Sequence, residues 1–331
     1  MNCLDSPPET YRFAMHLLQL ISNPTYFISL ISLILIKSNV FTTYKHFLIW
    51  HTLHNFFFEV YSIHLVEPAL HAPHTLMRTT GILSKAGVGS LVQTYMLSLG
   101  LEYNALTISE MFWFRYKVSV INYREQKHFR LLQQPAVITR FIAVFATLTC
   151  ILTYNDGLRF QQEHKSRLLE LYPSDTFILC DSVYLLVAFG DYTSSVFVAI
   201  WIFQSLLSIL MPATFFFINM NIPQTVSETT MKLQHQLLRS LIIMATLHLV
   251  FLGIPNVMFV YAFLFGYENE GVAYIAFICV TYHGFASCLA MIIFTKPLRS
   301  YILRIFKFRK ERENHRSSTG LVNQNKRPSM F

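Results

Sequence analysis

An all-α membrane protein, a bundle of seven transmembrane helices, is the fold class this sequence predicts, and three observations carry the prediction. Seven apolar stretches, each about as long as a bilayer is thick, follow one another along the chain. Hydrophobic residues make up 53% of the 331 and charged residues only 13%, with 30 Phe and 17 Tyr, so little polar surface is left to solvate a soluble domain of this size. Lys and Arg, finally, gather on alternate connections.

A helix needs roughly 20 apolar residues to cross the hydrocarbon core. The chain divides into a tail over 1–12, a transmembrane domain over 13–294 and a basic tail over 295–331. The spans are expected at Phe13–Ile36, Phe47–Leu70, Gly87–Phe112, Pro135–Tyr154, Val196–Ile218, Leu241–Phe265 and Val272–Phe294. The first is read as a retained span and not a cleaved secretory signal, given its length, its polar Ser22-Asn23-Pro24 interruption and the lack of a basic region before it. Thr176–Gly190 is apolar but short and contains Asp181. It is expected to be a strand-like or partly helical piece of the long connection Asn155–Ser195, folded over the extracellular mouth as a lid.

Orientation follows from charge. The segments Lys37–His46, Arg115–Arg140, Met220–Ser240 and Thr295–Phe331 hold 20 of the 26 Lys and Arg. The positive side of a membrane protein is cytoplasmic, so the N-terminus is expected outside and the C-terminus inside. The net charge of +8 then points to anionic inner-leaflet lipid and an intracellular protein partner, and not to nucleic acid. In the last segment, Leu298, Tyr301, Ile302 and Ile305 recur at three- and four-residue spacing beside Arg and Lys, which predicts a short amphipathic helix on the inner leaflet.

Ionisable and polar groups inside spans are costly and mark the bundle interior. At about 100° per residue, Gln93, Leu97 and Asn104 share one face of the third span with Arg115. Arg115 lies roughly 33 Å from Gln93 along that helix at about 1.5 Å per residue, so one face reaches both membrane borders. Gln93, Leu97 and Asn104, with Trp201 of the fifth span, His248 of the sixth and His283 of the seventh, are the candidate ligand contacts, and each taken singly also fits ordinary packing. Glu102 points elsewhere, toward the second or fourth helix, where Glu59 is a candidate partner through a shared proton or water, with a hydrogen-bonded structural carboxyl as the equal alternative. Pro255 interrupts the sixth span and is a candidate hinge, with a static kink as the alternative. Cys3 and Cys180 both fall on the oxidising side, where a bridge is chemically allowed; free or differently paired thiols remain the alternative. His51, His54, His64, His71 and His74 lack the Cys or carboxylate spacing of a metal site, and no phosphate loop, nucleophile elbow or zincin motif occurs, so no metal, cofactor or catalysis is expected.

Several segments carry a family likeness: Cys3 with Asp5, Ser6 and Pro7; the stretch from Gly87 through Gln93 to Tyr95; Phe114-Arg115-Tyr116; the run from Thr230 to Ser240; His283-Gly284; and Thr295-Lys296-Pro297-Leu298-Arg299. In that order they resemble the nematode serpentine chemoreceptors, class H most closely and class I next. The resemblance implies a G-protein-coupled receptor of the plasma membrane, in sensory neurons or their cilia, that detects an environmental small molecule. It places Arg115 and Tyr116 at the G-protein-coupling motif, although Phe114 replaces a polar residue there and Leu298 an aromatic. A ligand would enter between the outer halves of the third, fifth, sixth and seventh helices, and the sixth would swing about Pro255. A seven-span ligand-gated channel or transporter using Glu59 and Glu102 is the runner-up, against which stands the lack of inverted repeats. An orphan receptor without a signalling role is the third reading.

Overall fold

The computed structural model describes residues 7–36, 42–71, 76–119, 129–185, 239–240, 242–265 and 269–305. Helix α1 (Glu9–Leu35) runs unbroken through Pro24. Tyr11, Met15, Gln19, Ser22, Tyr26, Ser29 and Ser32 form its buried face, at three- and four-residue spacing. Phe13, Leu20, Ile21, Phe27, Ile31 and Ile34 are exposed. A helix on a water-soluble protein would have this polarity reversed, because apolar area gains by leaving water. In lipid the solvent is itself apolar, so branched side chains face outward and small or polar ones hold helices together.

Helix α2 (Thr42–Val60) packs on α1, on α4 (Ser90–Ser119) and on the last long helix, α8 (Glu270–Phe294), and so forms the centre of the bundle. Helix α5 (Phe129–Leu152) repeats the lipid pattern: Ala136, Thr139, Ala143, Ala146 and Thr149 are buried, while Phe141 is 70% and Leu152 77% exposed. Among the described residues, α1, Ile242–Phe259 and α8 are each long and apolar enough to cross a membrane. α5 adds a fourth if it is counted with α6 (Tyr154–Leu171), from which it is bent by 62°. α6 carries Asp156, Arg159, Glu163, Lys165, Arg167 and Glu170. Asp, Lys or Arg each cost about 2.5–3.5 kcal/mol at the bilayer centre, so α6 is far less suited to lipid than α5. The expected fifth span, Val196–Ile218, lies outside the described residues.

The second span ends earlier than its sequence suggests. After α2 comes a π-helical turn, Tyr61–Val66, and then Glu67 in the left-handed region at φ 46°, its N–H bonded to the Ser62 carbonyl at 3.0 Å. The chain continues as strand β1 (Pro68–His71), so the last residues expected in this span belong to a sheet. Arg12 pairs with Glu67 at 2.8 Å and the Tyr11 hydroxyl donates to the Pro68 carbonyl at 3.0 Å, which fastens this corner to α1.

β1 pairs antiparallel with β2 (Leu76–Thr79), and β2 with β3 (Val183–Leu185), in the order β1-β2-β3, with Leu70 opposite Met77 and Met77 opposite Tyr184. A short helix, α3 (Ile82–Lys85), joins β2 to α4. The connection between α5 and the fifth span therefore does not lie loose. Its 3-10 turn (Thr176–Leu179) and β3 match the expected strand-like and partly helical piece, but the eighteen-residue α6 before them replaces what the sequence suggested was loop. Leu76, Ile178, Val183 and Leu185 bury one another, with Leu168 of α6 against them. Ser90 holds β3 to the start of α4: its N–H donates to Asp181 and its hydroxyl to the Val183 carbonyl, each at 2.8 Å.

The sixth span is helical over 242–248, widens into a π turn at Leu249–Gly253 and resumes as α7 (Ile254–Phe265). Pro255 is the second residue of α7 and is buried. The π turn ends two residues before it and takes up the register that a ring without an N–H would otherwise disrupt. Beyond α8 and Thr295 the chain is again helical over 296–305. Leu298 and Ile302 of that helix are buried in the same cluster as Leu48, Met111 and Trp113, while Leu303 and Ile305 are exposed. The expected amphipathic stripe thus splits between the bundle and the surrounding phase.

Glu59 does not meet Glu102. Its carboxylate accepts from the Ser22 hydroxyl and, at 3.0 Å, from the Tyr26 hydroxyl, both on α1. Glu102 is buried on α4 with no hydrogen-bond partner at Oε1.

Candidate functional site

The centre of the bundle holds a chain of polar side chains drawn from four spans. His51 of α2 lies with Nδ1 2.7 Å from Thr107 Oγ1 of α4 and Nε2 3.1 Å from Ser287 Oγ of α8. The Thr107 hydroxyl proton is already donated to the Asn104 carbonyl at 2.8 Å, so the His51 contact requires Nδ1–H as donor. Nε2 is then the acceptor, and Asn55 Nδ2 at 2.9 Å and the Ser287 hydroxyl donate to it.

Two further histidines stand beside it. The His248 ring is centred 5.3 Å from His51 and 5.2 Å from His283. His248 Nδ1 donates to the Met244 carbonyl at 2.8 Å and His283 Nδ1 to the Val280 carbonyl at 2.5 Å. Both Nε2 atoms are therefore bare acceptors, and both are buried without a partner. Asn55 Oδ1 and both amide atoms of Asn104 are likewise buried and unpartnered. Four acceptors against one donor group make this a place suited to a guest that brings hydrogen-bond donors, because a buried polar atom left unpaired costs about 1–3 kcal/mol.

The α2–α8 contact that supports the node is very close. A Cβ on Gly284 would lie 2.5 Å from Asn55 Cβ and 2.8 Å from the Tyr26 hydroxyl oxygen, so only a hydrogen fits there.

Of the sequence-predicted ligand residues, Asn104, His248 and His283 fall in or beside this node. Leu97 is buried in the neighbouring apolar cluster with Phe58, Leu252 and Phe277. Gln93 is placed at the sheet end, where its amide donates to Ser84 Oγ at 3.0 Å and the Val88 carbonyl at 2.7 Å. Trp201 lies outside the described residues. His51 and Asn55 are not among the ligand contacts expected from the sequence. The one sequence signal for them was four-residue spacing on one face of α2, which by itself also fits packing. Arg115 and Tyr116 lie in the last turns of α4, at the end of the bundle that carries 296–305. Their neighbour Phe114 packs on Phe47, with ring centres 4.9 Å apart. No group of three or more His, Cys, Asp or Glu among the described residues could hold a metal ion. Cys180 is disulfide-bonded, and Cys150, Cys279 and Cys288 are free thiols. Cys3 lies outside the described residues.

At the sheet end a recess opens between the start of α4 and α6, with a volume of about 170 Å³. Lys165 lines it and is only 8% exposed; its Nζ donates to the Cys180 carbonyl at 2.9 Å. Burial lowers its pKa to about 8, with Asp181 acting in the opposite sense.

A helical bundle that turns apolar rows outward and gathers polar side chains at its centre defines a multi-pass membrane protein. Its sequence over residues 6–308 matches the model of one such family, the serpentine type 7TM GPCR chemoreceptor Srh, and the chain belongs to that family. No curated protein matches the chain.

Proposed function

We propose that this protein is a chemosensory receptor of class H that binds an environmental small molecule in the outer half of the bundle and signals through a heterotrimeric G protein. The observation that supports this reading best is the buried node: His248, His283 and Asn104 offer unpaired polar atoms where α2, α4, the sixth span and α8 meet. A guest carrying a hydroxyl or amine would satisfy acceptors on several helices at once. It would shift the bundle only through its different affinity for two arrangements of those helices.

The π turn at Leu249–Gly253, which ends two residues before Pro255, is a natural pivot for the sixth helix. Its inner end would then uncover Arg115 and Tyr116 for the G protein. The basic tail rests on anionic lipid of the inner leaflet, the N-terminus lies outside the plasma membrane, and Cys3 is the partner of Cys180, tying the N-terminal tail to the lid. Gln93 shapes the outer end of the pocket through its bonds to Ser84 and Val88, Leu97 contributes apolar surface, and Trp201 is a further candidate contact.

An odorant panel on cells expressing the receptor with a G-protein reporter tests this. An active compound should lose most of its response with Arg115→Ala at equal surface expression. A substituted receptor that signals as well as the parent would overturn the assignment of Arg115, and a current that persists in G-protein-depleted membranes would favour a channel.

A further inference from the structure

We propose that the recess between the start of α4 and α6 is a second binding site, separate from the histidine node, and that it takes a short-chain carboxylic acid. The argument begins with Lys165. Its ammonium group is buried, yet among the described residues it makes no ion pair and its one hydrogen bond goes to the Cys180 carbonyl. A buried cation without a countercharge in contact is costly. An ammonium has three donors, and this one has two to spare.

The walls of the recess define the rest of the guest. Leu91, Tyr154, Leu158 and Leu179 line it with apolar surface, which suits an alkyl tail. Gln161 and Ser90 also line it, but their side chains are already committed to Leu185 and to the Val183 carbonyl. Their bonds set the shape of the recess, and Lys165 is left to meet the charge. The first turn of α4 borders the same space and adds the positive end of a thirty-residue helix. Asp181, also on the wall, favours the charged form of the amine without pairing with it at contact distance.

Size sets the length of the acid. A volume of about 170 Å³ falls below the roughly 300–1,000 Å³ of sites that hold drug-sized ligands. Gly157 keeps the recess from being wider at the α4 side, because a Cβ there would lie 2.7 Å from the Tyr95 hydroxyl oxygen and α6 is already drawn close to α4.

The test is direct binding of tritiated hexanoate to the purified full-length receptor in lipid nanodiscs, with hexanol as the uncharged competitor. Saturable binding is expected, displaced by unlabelled hexanoate and at least about ten-fold less well by hexanol, as befits loss of a charge-assisted contact. Lys165→Gln should weaken binding about ten-fold or more, and Lys165→Arg should retain most of it. Ser166→Trp, an exposed position on the wall whose hydroxyl bonds only within α6, should block the recess even if Lys165→Gln fails to fold. No saturable binding, equal displacement by hexanol, or unchanged binding to Ser166→Trp would each overturn the proposal. The readout involves no signalling, so its outcome is independent of the coupling reading above.

Discussion

Gly284→Val should nearly abolish surface expression of the receptor, and what reaches the membrane should melt well below the parent protein. The Cβ alone would sit 2.5 Å from Asn55 Cβ and 2.7 Å from its Cγ. Neither atom is the far end of a flexible chain, so α8 must move away from α2. Overpacking of a well-filled interior costs typically 1–3 kcal/mol, and valine adds two methyl groups beyond the Cβ. The move would also part His51 from Ser287, so the polar node would lose its link to α8 along with the packing. Surface labelling of a tagged receptor and thermal unfolding in detergent measure both effects. Gly284→Ala should lie between parent and valine; surface levels and melting temperature unchanged by valine would show that the two helices do not meet here.

His51→Leu should be the most damaging substitution of the node. The Ser287 hydroxyl and Asn55 Nδ2 lose their acceptor, at about 1–3 kcal/mol for each buried donor left unpaired, while Thr107 keeps its bond to Asn104. A melting temperature lower by about 4 °C or more is expected, together with a loss of ligand response larger than the loss of protein. Leu97→Ala, which opens apolar space beside the node without touching its hydrogen bonds, should reduce stability and leave the response per receptor closer to the parent. Equal response per receptor for His51→Leu and the parent would remove the node from the mechanism.

Much of the bundle was legible because lipid imposes a long apolar run on every span. α1 and α8 cover the apolar runs of the first and last expected spans, whereas α4 runs 7 residues past Phe112 and α5 begins 6 residues before Pro135. The features that the sequence concealed are short or depend on distant partners. In sequence β1 resembles the end of a span because Pro68, Ala69 and Leu70 extend an apolar run, and only pairing with β2, Leu70 opposite Met77 and Ala69 opposite Arg78, makes a strand of them. α6 looks like loop in sequence because its charges exclude it from lipid, and the same charges say nothing against a helix in water. In the central site, His248, His283 and Asn104 were visible as polar residues in apolar runs. His51 was visible too, but its role comes from Thr107 on α4 and Ser287 on α8, 56 and 236 residues away in sequence. No local pattern encodes such a meeting. The Glu59–Glu102 pairing failed for the same reason: the helix direction was right for a carboxyl in the interior, but Ser22 and Tyr26 on α1 stood nearer to Glu59.

The central claim is that the chain crosses the bilayer an odd number of times, with the sheet and α6 on the outer side and the basic tail within. Epitope tags at the two ends, probed by antibody on intact and then permeabilised cells, test it most directly. The N-terminal tag should stain without permeabilisation and the C-terminal tag only after it; staining of both under the same condition would contradict the account.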